Sequence, residues 1–179
     1  MFTEFTKLKS NFYLHDVETK EQQMFYGDDG KGIGYYHTDF PRKFDLMQLL
    51  VPPALQKNFS ITLMRINVLV PPHTDSGIKS TINIYLETGD CTTHFYRFAT
   101  DNPKTTQVGG QSDGVIYDEE DLVETGSFIA KPYEAWLLDV TKPHSVKPGK
   151  DFKERTAIAI SSTLCYDKVK FMLENRGLI

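Results

Sequence analysis

From residue 60 to residue 163 the chain is written in short β-branched and aromatic runs broken by turn residues, and this constrains the fold more than any other feature. The runs are SITLMRINVLV (60–70), STINIYLE (80–87), THFYRF (93–98), SFIAK (127–131), EAWLLDV (134–140) and RTAIAISST (155–163), and each reads as a strand. Helical spacing is confined to two places. PRKFDLMQLLV (41–51) brings Phe44, Met47, Leu50 and Val51 onto one face before Pro52 and Pro53, and DKVKFMLENRGLI, at the C-terminal end, aligns Val169, Met172 and Leu173 ahead of Gly177. Sequential strands with helices gathered at the ends point away from βαβ units. The expected fold is mainly β (α+β), a double-stranded β-helix or jelly roll with a few flanking helices.

At 179 residues the chain has the size of one domain. The expected division is a core over 61–163, an N-terminal strand and helix extension over 1–60, and a C-terminal helix over 166–178. YGDDGKGIG (26–34) reads as a loop. The stretch 99–126 is longer than most connections and reads as a lid or insertion, with a short strand near Val115 to Tyr117. The acidic YDEEDLVE (117–124) reads as a solvated loop.

Composition narrows the partners. With 20 Lys+Arg against 24 Asp+Glu, a net charge of −4 gives no electrostatic reason to approach nucleic acid or an anionic membrane. Cys91 and Cys165 have no paired spacing and are expected to be free thiols, which suits a cytoplasmic location. The first residues carry Glu4, Lys7 and Lys9 within any apolar run, and no stretch is long enough to span a bilayer.

The junction NVLVPPHTDSGIKSTINIYLE (67–87) places His73 and Asp75 two positions apart between strands. Residues i and i+2 of an extended chain point to one side, so both can reach one metal ion. A single His-x-Asp is weak evidence, and a second, His37-Thr38-Asp39, stands just before Pro41 and the first helix; there Asp39 is expected to cap the helix. The pair at 73 and 75 is joined by His144, in LLDVTKPHSVKPG, which a jelly roll can bring across from a distant strand. Two His and one carboxylate leave three coordination positions open, as in non-haem iron(II) oxygenases. Eleven positions on, Arg155 opens a strand and can hold a carboxylate through two parallel hydrogen bonds.

This ordered set, His73-x-Asp75, His144 and Arg155, with GDCTTHFYRF (89–98) between its halves, resembles the iron(II)/2-oxoglutarate-dependent dioxygenases, in particular the small phage-encoded members. The resemblance spans about 61–163 and implies iron(II) held by His73, Asp75 and His144, with 2-oxoglutarate and dioxygen as co-substrates. It implies Arg155 on the far carboxylate, decarboxylation to succinate, and hydroxylation of a small molecule or peptidyl side chain. Ala157 departs from the pattern, because many relatives carry a hydroxyl residue two positions after the arginine. Asn83 and Tyr85 share a strand face with Thr81, opposite Ile82, Ile84 and Leu86, and are candidates for the co-substrate carboxylate. GYYHTDF (34–40) and the 99–126 segment are candidates for the substrate wall.

Bland alternatives exist for each residue. His73 and Asp75 can be turn residues, His144 can cap the turn after Pro143, and Arg155 can pair with Asp151 or Glu154 at the surface. For His94, packing is the expected role. The competing functions are a cupin-like jelly-roll module that binds a metal or ligand without turnover, and a structural sandwich in which the histidines are incidental. Substrate identity and oligomeric state cannot be read from these residues.

Overall fold

The computed structural model describes residues 3–28, 31–107 and 114–179. Its strands are β1 (Phe5–Asn11), β2 (Glu18–Asp28), β3 (Lys31–Asp39), β4 (Phe59–Ile66), β5 (Val70–Thr74), β6 (Ser80–Glu87), β7 (Cys91–Phe98), β8 (Thr105–Gln107), β9 (Val115–Tyr117), β10 (Leu122–Ile129), β11 (Glu134–Leu138), β12 (His144–Pro148) and β13 (Arg155–Ser162). Helix α1 (Lys43–Leu50) follows β3, and α2 (Tyr166–Asn175) closes the chain. Two antiparallel sheets form, ordered β1-β11-β6-β13-β4-β3-β2 and β10-β7-β12-β5-β9-β8.

Strand order identifies the architecture. From β4 to β7 and from β10 to β13 the chain crosses between sheets, so that β11-β6-β13-β4 faces β10-β7-β12-β5. Eight strands distributed this way make the double-stranded β-helix, or jelly roll. Around it, β1, β2 and β3 extend the larger sheet, while β9 and β8 extend the smaller one beside β5. Among the described residues no helix is long and apolar enough to cross a membrane, and both cysteines are free.

Period two divides the core into two clusters. On β6 and β13, Ile82, Ile84, Ile158 and Ile160 face α1, α2 and Leu8 of β1. The alternate residues Tyr85, Ala157 and Ala159 face between the sheets with Phe95, Phe128 and Val146. Helix α2 ends as its glycine predicts: Gly177 has φ +68, and the amides of Gly177 and Leu178 donate to the carbonyls of Glu174 and Leu173 at 2.9 and 3.0 Å, a Schellman motif.

Several expectations need correction. The run 60–70 is two strands in different sheets, β4 and β5, because the chain turns at Asn67, whose Oδ1 accepts from the Gly32 amide at 2.7 Å. Residues 26–34 are largely the arms of the β2–β3 hairpin, not a loop, with residues 29 and 30 outside the described residues. In α1 the buried face is Leu46 and Leu50, while Phe44 is exposed. Asp39 does not cap that helix. It ends β3, accepts from the Phe40 amide at 3.1 Å and pairs with Lys20 at 3.0 Å, while Arg42 stands at the N-cap without a side-chain capping bond and pairs with Asp45 at 2.8 Å instead.

The 99–126 stretch holds β8, the expected strand at 115–117, a 3-10 turn at Glu119–Asp121 and the start of β10; residues 108–113 lie outside the described residues. The acidic run is therefore solvated, as expected, with Asp118, Glu119, Glu120 and Glu124 exposed, but it is structured rather than a loop: Glu119 reaches Lys147 at 3.3 Å, and Glu124 lies 3.1 Å from His94. That pairing also gives His94 a partner beyond packing.

Candidate metal centre

Pro71 and Pro72 place the first ligand. On the β5–β12 ladder the paired positions are Val70 with Val146 and His73 with His144, so two prolines oppose the single Ser145. Prolines cannot donate to a ladder, and an extra residue is a bulge. The bulge shifts side-chain parity by one, which lets both Val70 and His73 face inward against Val146 and His144; all four line one cavity.

Asp75 follows immediately, its amide donating to the Val140 carbonyl at 3.0 Å. That bond ties the second ligand to the segment leading into His144. His144 opens β12 with the Phe95 ring against its imidazole, centroids 5.6 Å apart. The result is a group in which one ligand atom from each of His73, Asp75 and His144 lies within 4.8 Å of the others.

The electrostatics suit a cation. Each histidine uses Nδ1–H to donate to the carbonyl two residues earlier, His73 to Pro71 at 2.9 Å and His144 to Lys142 at 3.0 Å. This fixes the tautomer and leaves both Nε2 lone pairs for a metal. The Asp75 carboxylate lies 3.4 Å from His73 Nε2, close to the ~3 Å between ligand atoms each ~2.1 Å from one ion.

Burial alone would lower the His73 imidazolium, but the hydrogen bond and charge of Asp75 outweigh it and hold His73 above its ordinary 6.5. For Asp75, burial works upward, and His73 and His144 pull it below its ordinary value. Burial first, and then the charge of His73, push His144 down to about 4. Two imidazoles and a carboxylate converging on one point can hold a metal ion, and this donor set fits iron(II) among other divalent ions.

The cavity continues past the triad to Arg155, which opens β13 opposite Ile66 of β4. Arg155 is only 2% exposed. It neither sits at the surface nor pairs with Asp151 or Glu154; Glu154 faces Arg65 at 3.7 Å instead. Its Nη2 donates to Thr93 Oγ1 at 2.9 Å, and its guanidinium lies 4.5 Å from the centre of the Tyr85 ring. Arg155 Nε, Arg155 Nη1 and the Tyr85 hydroxyl are buried without a hydrogen-bond partner among the described residues.

Thr81 and Asn83 line the cavity on the facing sheet, with Thr81 donating to Asn83 Oδ1 at 3.1 Å. Ala157 is fully buried beside them. The structure thus brings His73, Asp75, His144, Arg155 and Asn83 around one cavity, with Tyr85 against the guanidinium of Arg155. It leaves His37 and Asp39 outside, on β3, where His37 contacts Gln23 at 2.7 Å. Sequence reasoning missed Thr93 and Ser161, which also line the cavity. Period two from Phe95 marks Thr93 as inward, but nothing local says that it meets Arg155.

No protein-family profile matches the chain, and no curated protein matches it. Among solved structures it is similar to the vicilin from Solanum melongena, with 14% sequence identity and a TM-score of 0.41. The match covers 77% of this chain and 30% of the vicilin, so the chain spans about a third of that protein's length.

Proposed function

We propose that this protein is an iron(II)- and 2-oxoglutarate-dependent oxygenase acting on a small molecule or peptidyl side chain. The observation that carries the reading is the floor of the cavity. A buried arginine with two unpartnered nitrogens stands in the wall of the cavity that also holds the His-Asp-His group, and the ring of Tyr85, whose buried hydroxyl is also unpartnered, lies against its guanidinium. An unsatisfied buried polar group costs about 1–3 kcal/mol, and more when charged. A module that only held a metal would have no use for them; a bound carboxylate would give the guanidinium a partner.

His73, Asp75 and His144 would hold iron(II) and leave the remaining coordination positions to ligands. Iron at such a site supplies the redox chemistry by which dioxygen decarboxylates 2-oxoglutarate and oxidises a C–H bond. The chain's own part is binding and orientation. Nη2 of Arg155 has two hydrogens, and Thr93 takes one of them and holds the guanidinium in place; the other would make, with its parallel neighbour on Nη1 or Nε, a planar fork for the distal carboxylate. The Tyr85 hydroxyl, unpartnered and on the residue whose ring meets the guanidinium, would add a further donor. Asn83 keeps its amide N–H groups for an acceptor nearer the metal, because its oxygen is taken by Thr81. The lack of a hydroxyl at Ala157 is offset by Tyr85. The apolar wall excludes water.

The test is titration of the anaerobic iron(II) protein with 2-oxoglutarate, following the charge-transfer absorption of a chelated keto acid. His73→Ala, Asp75→Ala and His144→Ala should abolish tight iron binding. Arg155→Ala should keep iron and lose ~30- to several-thousand-fold in 2-oxoglutarate affinity, from about 2–5 kcal/mol for one partner of a buried charged pair. Arg155→Lys should recover part of that loss. A wild type with no such band, or arginine variants that bind normally, would leave a cupin-like metal-binding module as the better account.

A further inference from the structure

The charged groups of the cavity leave room for one anion and no more. Among the described residues lining it, the ionic side chains other than the two histidines are Asp75 and Arg155. Resting on the reading above, iron(II), Asp75, Arg155 and a bound 2-oxoglutarate dianion together sum to no net charge. A substrate charge brought beside the metal would then be buried without a counter-ion, at a cost of several kcal/mol.

Much of the remaining wall is apolar. Ile33, Met64, Ile78, Leu138 and Val140 line the cavity with the triad, Ile78 three residues after Asp75 and Val140 bonded to the Asp75 amide. Of its polar groups, Thr81 and Asn83 bond each other and Thr93 holds Arg155; Ser161 and Tyr35 remain. Tyr35 of β3, half-buried, lines the same cavity and brings a hydroxyl to it. A tyrosine hydroxyl is a neutral donor at physiological pH.

We infer that the substrate presents an uncharged aliphatic group bearing a hydrogen-bond acceptor, and that Tyr35, supplied by the N-terminal hairpin, is the residue that selects it. An amide or other neutral carbonyl on a branched aliphatic body fits these surroundings. A free amino acid, a phosphorylated metabolite or an amine does not.

The experiment uses the full chain with manganese(II) at the triad and 2-oxoglutarate present, and follows paramagnetic broadening of ligand protons by NMR. Three probes share one branched five-carbon body: isovaleramide, isovalerate and isopentylamine. The isovaleramide methyl signals should broaden, and Tyr35→Phe should reduce that broadening several-fold; isovalerate and isopentylamine should stay sharp. Broadening of either charged probe to the same extent as the amide overturns the inference, and so does an amide that stays sharp or ignores Tyr35→Phe. The methylene signals of 2-oxoglutarate in the same tube report separately. If they broaden while the amide does not, the inference alone fails; if they stay sharp, the co-substrate reading fails and the inference with it.

Discussion

At the residue scale, Tyr85 and Arg155 are groups whose contributions to stability and to binding have opposite signs. Tyr85 is fully buried, with its hydroxyl unpartnered among the described residues. Tyr85→Phe should therefore leave the ligand-free protein as stable as before, or raise it by up to about 1–3 kcal/mol in urea unfolding. The same change should weaken 2-oxoglutarate binding about 10- to 150-fold, the loss of one hydrogen bond to a charged group. Unchanged affinity would remove Tyr85 from the carboxylate site.

The histidines make a second residue-scale prediction. A metal needs both imidazoles neutral. His144, held at about 4, is already neutral at physiological pH, whereas His73, held above 6.5, must release its proton. Metal affinity should rise with pH through one ionisation above 6.5 and fall about tenfold per unit below it. Calorimetric titration in buffers of different ionisation enthalpy should count about one proton released per ion on the acid side. In the metal-free protein, the stability contributed by His73 is fully present below 6.5 and lost as pH rises through its folded-state value. His144 acts oppositely, removing stability as pH falls from 6.5 to about 4.

At the scale of elements, the β5 bulge sets whether the candidate metal ligands converge. Deleting Pro72 would leave one residue opposite Ser145 and return the ladder to regular register. His73 and Val70 could then no longer both face inward. The variant should retain a β-type circular dichroism spectrum and lose tight iron binding; retained binding would show that the bulge does not set the orientation of His73. The far end of the barrel depends on a close backbone approach. The Gly149 amide donates to the Asp90 carbonyl at 2.6 Å, and a Cβ on Gly149 would lie 2.4 Å from that same oxygen. Gly149→Ala should cost about 1–3 kcal/mol in urea unfolding. Its neighbour Gly89 packs on Glu154, next to Arg155, so the damage should extend to co-substrate affinity.

At the scale of the whole molecule, the N-terminal sixty residues complete the jelly roll. Strand β1 pairs with β11 and inserts Leu8, 1% exposed, into the core beneath the sheet. Phe5 reaches Phe95, Phe128 and Trp136, with ring centroids 5.1 to 5.9 Å apart. Leu8→Ala should cost about 2–5 kcal/mol, the range for emptying a buried leucine site, read as a lower urea midpoint with an unchanged slope. A midpoint within error of wild type would mean that β1 is dispensable.

Local pattern determined most of the strands from β6 to β13, the C-terminal helix with its glycine stop, and the residue types of the metal set, because period, propensity and capping act over a few neighbours. His73 and Asp75 could be paired from their spacing alone, and Arg155 could be picked out as the head of a strand. Partners that meet across the sheets were beyond reach. Thr93 under Arg155, Tyr85 beneath the guanidinium and Tyr35 beside Asp75 are brought together by pairings between strands far apart in the chain. The split of 60–70 into two sheets and the strand at His37 followed the same rule: nearby residues there favour a continuous strand and a helix cap, and contacts made by Asn67 and Lys20 decide otherwise. Sequence by itself supplied the chemistry of the candidate ligands. It also favoured the triplet at 73–75 over the one at 37–39, but only tertiary structure shows how His73 comes to face the cavity, because its orientation rests on a bulge in one ladder.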